Sequence, residues 1–452
     1  MAGHVFPRST RARLPTVAAG QGIELIAADG RRYIDASGGA AVSCLGHGHP
    51  AVIAAITHQA QAMAYAHTSF FTNEPAELLA DALIAAVPGG LSRVYLVDNG
   101  SAAVETALKM ARQYCVETGA PERRHVISRR QSYHGNSLGA LAVSGNTGRR
   151  APYEPLLFGT SRIEPCFYYH YAGSGQTEED YGLQAADALE AELLRVGPQT
   201  VMAFIAETVV GATAGAVPAV PGYLRRIREI CDRYGVLLIL DEVMCGAGRT
   251  GTFLACEADG VVPDLVTLAK GLAGGYQPIG AVLCTDRVYD AFAKGSGVFI
   301  NGHTYSGHAI ACAAALAVQK VIVDEGLLER VRRAGRLLRQ ALLDRVGRNP
   351  HVGDIRGRGL LMALELVDDR ESRRSYDPAL QLGARVKAAA FERGLLVYPG
   401  SGTVDGVRGD HVLLAPPYTV TDAEIEVIVE RVSLAVEAAV LGVQTRQGEA
   451  CN

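Results

Sequence analysis

From residue 51 to residue 320 the sequence alternates short β-branched runs with longer helical patterns, and no other feature constrains the fold as strongly. Strand–helix–strand crossovers of this kind build a mostly parallel sheet with helices on its faces, an α/β architecture. The expected strands are 93–97, 125–128, 201–207, 236–241, 265–268 and 280–284. Open α/β sheets bind ligands beyond the carboxyl ends of their strands, where loops enter the next helix. Asn99, Glu207, Asp241 and Lys270 are all expected there.

Beyond about residue 320 the pattern changes to charged amphipathic helices, 327–346 and 378–393, interleaved with strands near 360–366 and 412–414. This reads as a smaller α+β domain. Near the N-terminus, two β-rich runs flank Asp29 and Gly30, so 22–34 is expected to form a hairpin. The division is therefore an N-terminal segment, 1–50, packing with the small domain, a large domain, 51–320, and a small C-terminal domain, 321–452. At 452 residues the chain is longer than one hydrophobic core usually supports.

Apolar residues make up 48% and charged residues 20% of the chain, which excludes a disordered or fibrous protein. A net charge of -4 without a Lys/Arg-rich block argues against nucleic acid as a partner. Nine cysteines without a C-x-x-C pair read as reduced thiols, and 1–16 lacks an apolar export core, so a cytoplasmic location is expected. The longest apolar runs fall far short of the roughly 20 residues that span a bilayer, and no membrane association is expected. His47, His49 and His67 do not have a recognised ligand spacing, and no metal is assigned.

The strongest chemical signal is a pair. One apolar strand delivers Asp241 and Glu242; 29 residues after Asp241, the run 265–269 delivers Lys270 ahead of Gly271, Gly274 and Gly275. Taken alone, a lysine at a strand end is more often a solvated surface residue, and an aspartate an N-cap or ion-pair partner. Together, in apolar surroundings, they describe a desolvated amine whose lowered pKa frees it to attack a carbonyl. The facing carboxylate needs a cationic partner, and a protonated pyridine nitrogen is one that makes a cofactor ring an electron sink.

Two weaker signals accompany it. Gly100, Ser101 and Ala102, before a helix expected over 104–118, would offer backbone N–H groups to a phosphate, although any strand-to-helix turn can carry a capping serine. Tyr133, followed by His134 and Gly135, could stack on a flat ring, or pack on the core as an ordinary loop tyrosine.

With these residues in this order the sequence resembles the class III (omega) aminotransferases of pyridoxal-phosphate (PLP) fold type I, through most of its length. Gly100, Ser101 and Ala102 match the family's phosphate loop; Tyr133, His134 and Gly135 its ring-stacking element; 240–243 its pyridine-nitrogen strand; Lys270 its Schiff-base lysine. The resemblance implies a large domain with a mostly parallel seven-stranded sheet, and pyridoxal 5′-phosphate as cofactor. It places Glu207 near that cofactor and Val243 on the ring face opposite the aromatic. It also implies a homodimer, in which Thr304, within 302–306, reaches the phosphate of the neighbouring subunit.

In motif the chain is most similar to amine or omega-amino acid:pyruvate transaminases, which implies an amine donor and a keto-acid acceptor. GABA-type and ornithine-type members resemble one another in a gating glutamate and arginine, where this chain reads Ala212 and Leu413. Arg408, on a glycine-rich loop ahead of Pro416 and Pro417, is the candidate for binding the substrate carboxylate, the alternative being a solvated loop arginine. The chain has no tryptophan, and Ala40 and Ala41 would leave the N-terminal side of the pocket roomier. Aminomutases and amino-acid racemases resemble the same fold and would need no separate acceptor.

Overall fold

The computed structural model describes residues 4–450, with side chains described to residue 445; Cys451 lies outside the described residues. Seven strands form the central sheet: β1 (Leu91–Val97), β2 (His125–Arg129), β3 (Ser161–Ile163), β4 (Val201–Glu207), β5 (Leu237–Asp241), β6 (Leu265–Leu268) and β7 (Gly280–Thr285). Their order is β1-β7-β6-β5-β4-β2-β3. β7 alone runs antiparallel, wedged between β1 and β6. The mostly parallel α/β sheet expected from the alternation is thus present, and it is buried on both faces. Phe204, Ala206, Leu238 and Leu240 face one core, whereas Ala203, Ile205, Leu237 and Ile239 face the other. That period of two, apolar on both faces, is what a helix-covered parallel sheet requires.

Two smaller sheets lie outside it. Val352–Arg358, Leu361–Leu366, Asp410–Leu414 and Tyr398–Ser401, in that spatial order, form a four-stranded antiparallel sheet. The expected N-terminal hairpin pairs Glu24–Ala27 with Arg32–Asp35, gains Val17–Gln21 on one edge, and is joined on the other by Leu395–Leu396. Ile34 of this sheet and Ile23 just before it share one core with the antiparallel sheet and with the helices Leu327–Val346, Leu382–Glu392 and Asp422–Ala450.

Three local expectations are corrected. The strand β3 was not foreseen, because three residues including Arg162 carry almost no β pattern. The helix expected from 104 begins at Gly100 and runs to Glu117, since Asn99 caps it by accepting the Ala102 amide at 3.0 Å. The segment expected as one helix, 378–393, is a short turn, Pro378–Leu380, and a helix, Leu382–Glu392, broken where Gln381 takes a φ of 51°.

Candidate active site

Strand register brings the acids together. Asp241, the last residue of β5, lies opposite Glu207 at the end of β4 and opposite Thr267 of β6. All three strands run the same way, so their polar ends open on one side of the sheet, into a cavity of about 480 Å³. Gly100, Ser101, Tyr133, His134, Gly135, Glu207, Asp241, Val243 and Lys270 line it, as does Asn99. Ala102, Thr304 and Arg408 do not belong to its wall.

Asp241 is fixed rather than free. His134 Nδ1 lies 2.8 Å from Oδ2, while Oδ1 accepts the Val243 amide at 3.0 Å and the Thr267 hydroxyl at 3.2 Å. The carboxylate is 4% exposed, so it is held by donors instead of water. His134 was expected in the ring-stacking element; its ring instead braces Asp241, and its own amide donates to Ser144 Oγ at 2.8 Å. Its Nε2 has no partner among the described residues.

Lys270 follows β6 directly and starts a 3₁₀ turn with a φ of 47°, a conformation a lysine adopts only under constraint. Burial pushes its amine below the usual lysine pKa, against the opposing pull of Asp241. The Glu207 carboxyl is raised by burial; its Oε1 accepts the Tyr133 amide at 3.2 Å, and its Oε2 has no hydrogen-bond partner among the described residues, with Arg129 3.7 Å away. Glu242 turns away from the cavity, where its carboxylate takes the Thr208 hydroxyl and the Ala255 and Cys256 amides.

The other end of the cavity is the start of the helix Gly100–Glu117. The Ala102 amide is taken by the Asn99 side chain and the Ala103 amide by the Asn99 carbonyl. The Gly100 and Ser101 amides have no acceptor among the described residues, which leaves them, and not Ala102, to meet an anion. A Cβ on Gly100 would stand 2.8 Å from Val243, and one on Gly135 2.7 Å from Ser101 Oγ, so both glycines allow close packing around the space. Gly135 also has a φ of 136°.

These features fit pyridoxal 5′-phosphate on the structure's own terms. There is an anion cradle at one end and a pinned carboxylate at the other. A tyrosine, a valine and a desolvated amine line the same space. Sequence reasoning missed the Thr267 hydroxyl and the guanidinium of Arg149, which lies 4.7 Å over the Tyr133 ring. The sequence carries no signal for Thr267's role, which comes from its pairing in register with Asp241.

The sheet and this donor set define the architecture of the PLP-dependent transaminases of fold type I. The family model for class-III aminotransferases matches residues 5–436, and the chain belongs to that family. It is 45% identical over 438 residues to an uncharacterised aminotransferase of Schizosaccharomyces pombe, covering 97% of this chain and 95% of that one. It is 38% identical over 438 residues to the diaminobutyrate–2-oxoglutarate transaminase of Halomonas elongata, covering 96% and 92%. Its structure superposes with a TM-score of 0.90 on an amine transaminase from an uncultivated Pseudomonas species in its PLP-bound form, at 35% identity and covering 97% and 98%.

Proposed function

We propose that this aminotransferase moves an amino group from an amine or an omega-amino acid to a keto acid such as pyruvate, in two ping-pong half-reactions, with pyridoxal 5′-phosphate carried on Lys270. The observation that carries the reading is the joint placement of a desolvated Lys270 and a pinned Asp241 in one cavity at the strand ends. When bound, pyridoxal 5′-phosphate supplies a carbonyl that an amine can join and a ring that accepts electrons as a carbon–hydrogen bond breaks.

The protein's own residues supply the rest. The Gly100 and Ser101 amides, at the positive end of a helix, hold the phosphate. Asp241, backed by His134, holds the ring nitrogen in its protonated form. Tyr133 and Val243 confine the two ring faces, and Glu207 stands near the ring. Burial favours the uncharged form of the Lys270 amine, which serves first as nucleophile and then as the base that moves the proton from the substrate carbon.

On the substrate side, Val42, Met244, Pro278 and Ile279 offer apolar surface to the carbon chain of an amine. The likeness to an amine transaminase supports that donor class, and the diaminobutyrate–2-oxoglutarate relative supports a keto acid as acceptor. Arg408, expected from the sequence to bind the carboxylate, has its Nε paired with Asp405 Oδ2 at 2.7 Å and lies outside the cavity wall. The reading includes a homodimer in which Thr304 serves the partner's phosphate site, and the three-part division 1–50, 51–320 and 321–452. The eight described cysteines, all buried and unpaired, suit a cytoplasmic enzyme. Among the described residues, no helix is long and apolar enough to cross a membrane.

The test mixes cofactor-loaded protein with a panel of amines and omega-amino acids, without keto acid, and follows the cofactor's visible absorbance. A stable bleaching that pyruvate reverses is expected, together with its loss in Lys270→Ala. Recovery of the absorbance without any acceptor, with a rearranged or racemised product, would replace transamination by isomerisation.

A further inference from the structure

The helical turn Thr147–Arg150 carries two arginines with opposite fates. Arg150 is buried and spends its guanidinium on the carbonyls of Leu141, Ala142 and Ser144 and on Glu154. It ties the turn to the chain before it. Arg149 is exposed, and among the described residues its side chain has neither an ion pair nor a hydrogen bond. What positions it is the face of Tyr133, 4.7 Å from the guanidinium carbon to the ring centroid. Tyr133 is itself a wall of the cavity. The guanidinium thus lies beside a residue of the cavity wall with its N–H donors unspent among the described residues. Its charge is also felt inside, where it opposes protonation of Lys270.

Arg408 occupies a neighbouring loop in a different state. A Cβ on Gly406 would collide with Thr147 Oγ1, so this loop packs directly on the turn that carries Arg149. The loop is held by Gly402 N to Gly409 O at 2.7 Å, by Gln131 to Thr403 O at 3.2 Å and by Tyr171 Oη to Val404 O at 2.8 Å. Arg408 already has a carboxylate, that of Asp405 three residues earlier, which also accepts the Arg408 amide at 2.8 Å. To bind a substrate carboxylate it would first have to release its own. Arg149 has nothing to release.

Resting on the transaminase reading, we infer that Arg149 is the specificity residue for carboxylate substrates: stacked on Tyr133, it takes the carboxylate of the keto-acid acceptor in a paired, two-point hydrogen bond. A planar fork suits that task, and a lysine would supply charge without the geometry. Substrates without a carboxylate would make no use of it, so one pocket could serve both an apolar amine and an acidic acceptor.

The experiment compares Arg149→Gln, Arg149→Lys and Arg408→Gln with the wild type, all loaded with cofactor. Each half-reaction is measured separately, with a carboxylate-free aryl amine and with pyruvate, and binding of unreactive propionate is measured by calorimetry. For Arg149→Gln the KM for pyruvate and the dissociation constant for propionate should both rise roughly tenfold to a hundredfold, the range for loss of a charged hydrogen-bond pair. The loss should be confined to carboxylates, partly restored in Arg149→Lys, and absent in Arg408→Gln. Loss in Arg408→Gln alone would transfer the role to Arg408. Equal losses in both half-reactions, or release of the cofactor, would make Arg149 a structural or cofactor-holding residue. Should the wild type transfer nothing to any keto acid, the transaminase reading fails, and propionate binding still decides whether Arg149 takes a carboxylate.

Discussion

His411 is buried at the start of the strand Asp410–Leu414, its Nδ1 2.7 Å from Thr403 Oγ1 in the loop ahead of it. Burial, reinforced by the nearby Arg356 cation, pulls its pKa from 6.5 to about 3. The ring is therefore neutral in the fold, whereas in the unfolded chain it gains a proton below pH 6.5. Below that pH the unfolded state binds the extra proton, so stability falls with pH down to about 3, at roughly 1.4 kcal/mol per unit for one group. Glu365, on the neighbouring strand, is pulled below 4.5 chiefly by Arg356 against its own burial, and it loses its contribution only as pH falls further. Between pH 6.5 and 4.5 His125, also lowered by burial, adds to the loss, while Glu207 and Glu242, raised by burial, oppose it, so the share of His411 is the difference in slope between wild type and a His411 variant. His411→Gln should be less stable at neutral pH and show a flatter loss in that interval, by about 1 to 2 kcal/mol across it. Urea midpoints at a series of pH values give the slopes, and parallel slopes would mean that His411 does not drive the acid limb.

At the scale of elements, the start of the helix Gly100–Glu117 joins stability to cofactor binding through one side chain. Asn99 supplies the cap, and by taking the Ala102 amide it leaves the two amides before it aimed at the cavity. Asn99→Ala should cost about 1 kcal/mol in urea unfolding of the cofactor-free protein. It should also speed release of pyridoxal 5′-phosphate on dialysis. Lower stability with unchanged retention would show that packing of Gly100 on Val243, not the cap, fixes the helix start. This element also marks the limit of what the sequence disclosed. The strands β4 and β5 were legible because apolar runs end on a polar residue, and these residues, Glu207 and Asp241, are cavity walls. The helix start was read late because Gly100 and Ser101 look like loop until Asn99 is seen to cap them. The His134–Asp241 bond and the Arg149–Tyr133 stack were not legible, since each depends on how loops distant in sequence meet.

At the scale of the whole molecule, one face is unusually apolar for a surface. Phe70, Phe71, Ile300 and Tyr305 are all more than half exposed. The segment around Phe70 and Phe71 adjoins that around Tyr305, because Tyr65 packs edge-on against Tyr305 at 5.8 Å and Asn73 donates to the Gly307 carbonyl at 2.8 Å. An apolar patch of this kind on a monomer marks an interaction surface. Thr304 sits within it, its carbonyl accepting from Tyr65 Oη at 2.9 Å, and does not line the cavity of its own chain. In the proposed homodimer the patch is covered by a second copy and Thr304 completes the partner's phosphate cradle, so each active site is shared. Thr304→Asp would then place a negative charge beside the partner's phosphate, abolishing cofactor retention without touching that chain's Lys270. Mixing this variant with inactive Lys270→Ala, by co-refolding or co-expression, produces some dimers with one subunit of each kind. In those dimers the site that keeps Lys270 receives an intact Thr304 from its neighbour. Activity should therefore appear in the mixture although each variant alone is inactive, and it should reach at most one working site per mixed dimer. If Thr304 served its own chain, the surviving lysine and the surviving threonine would lie in different sites and mixing would restore nothing.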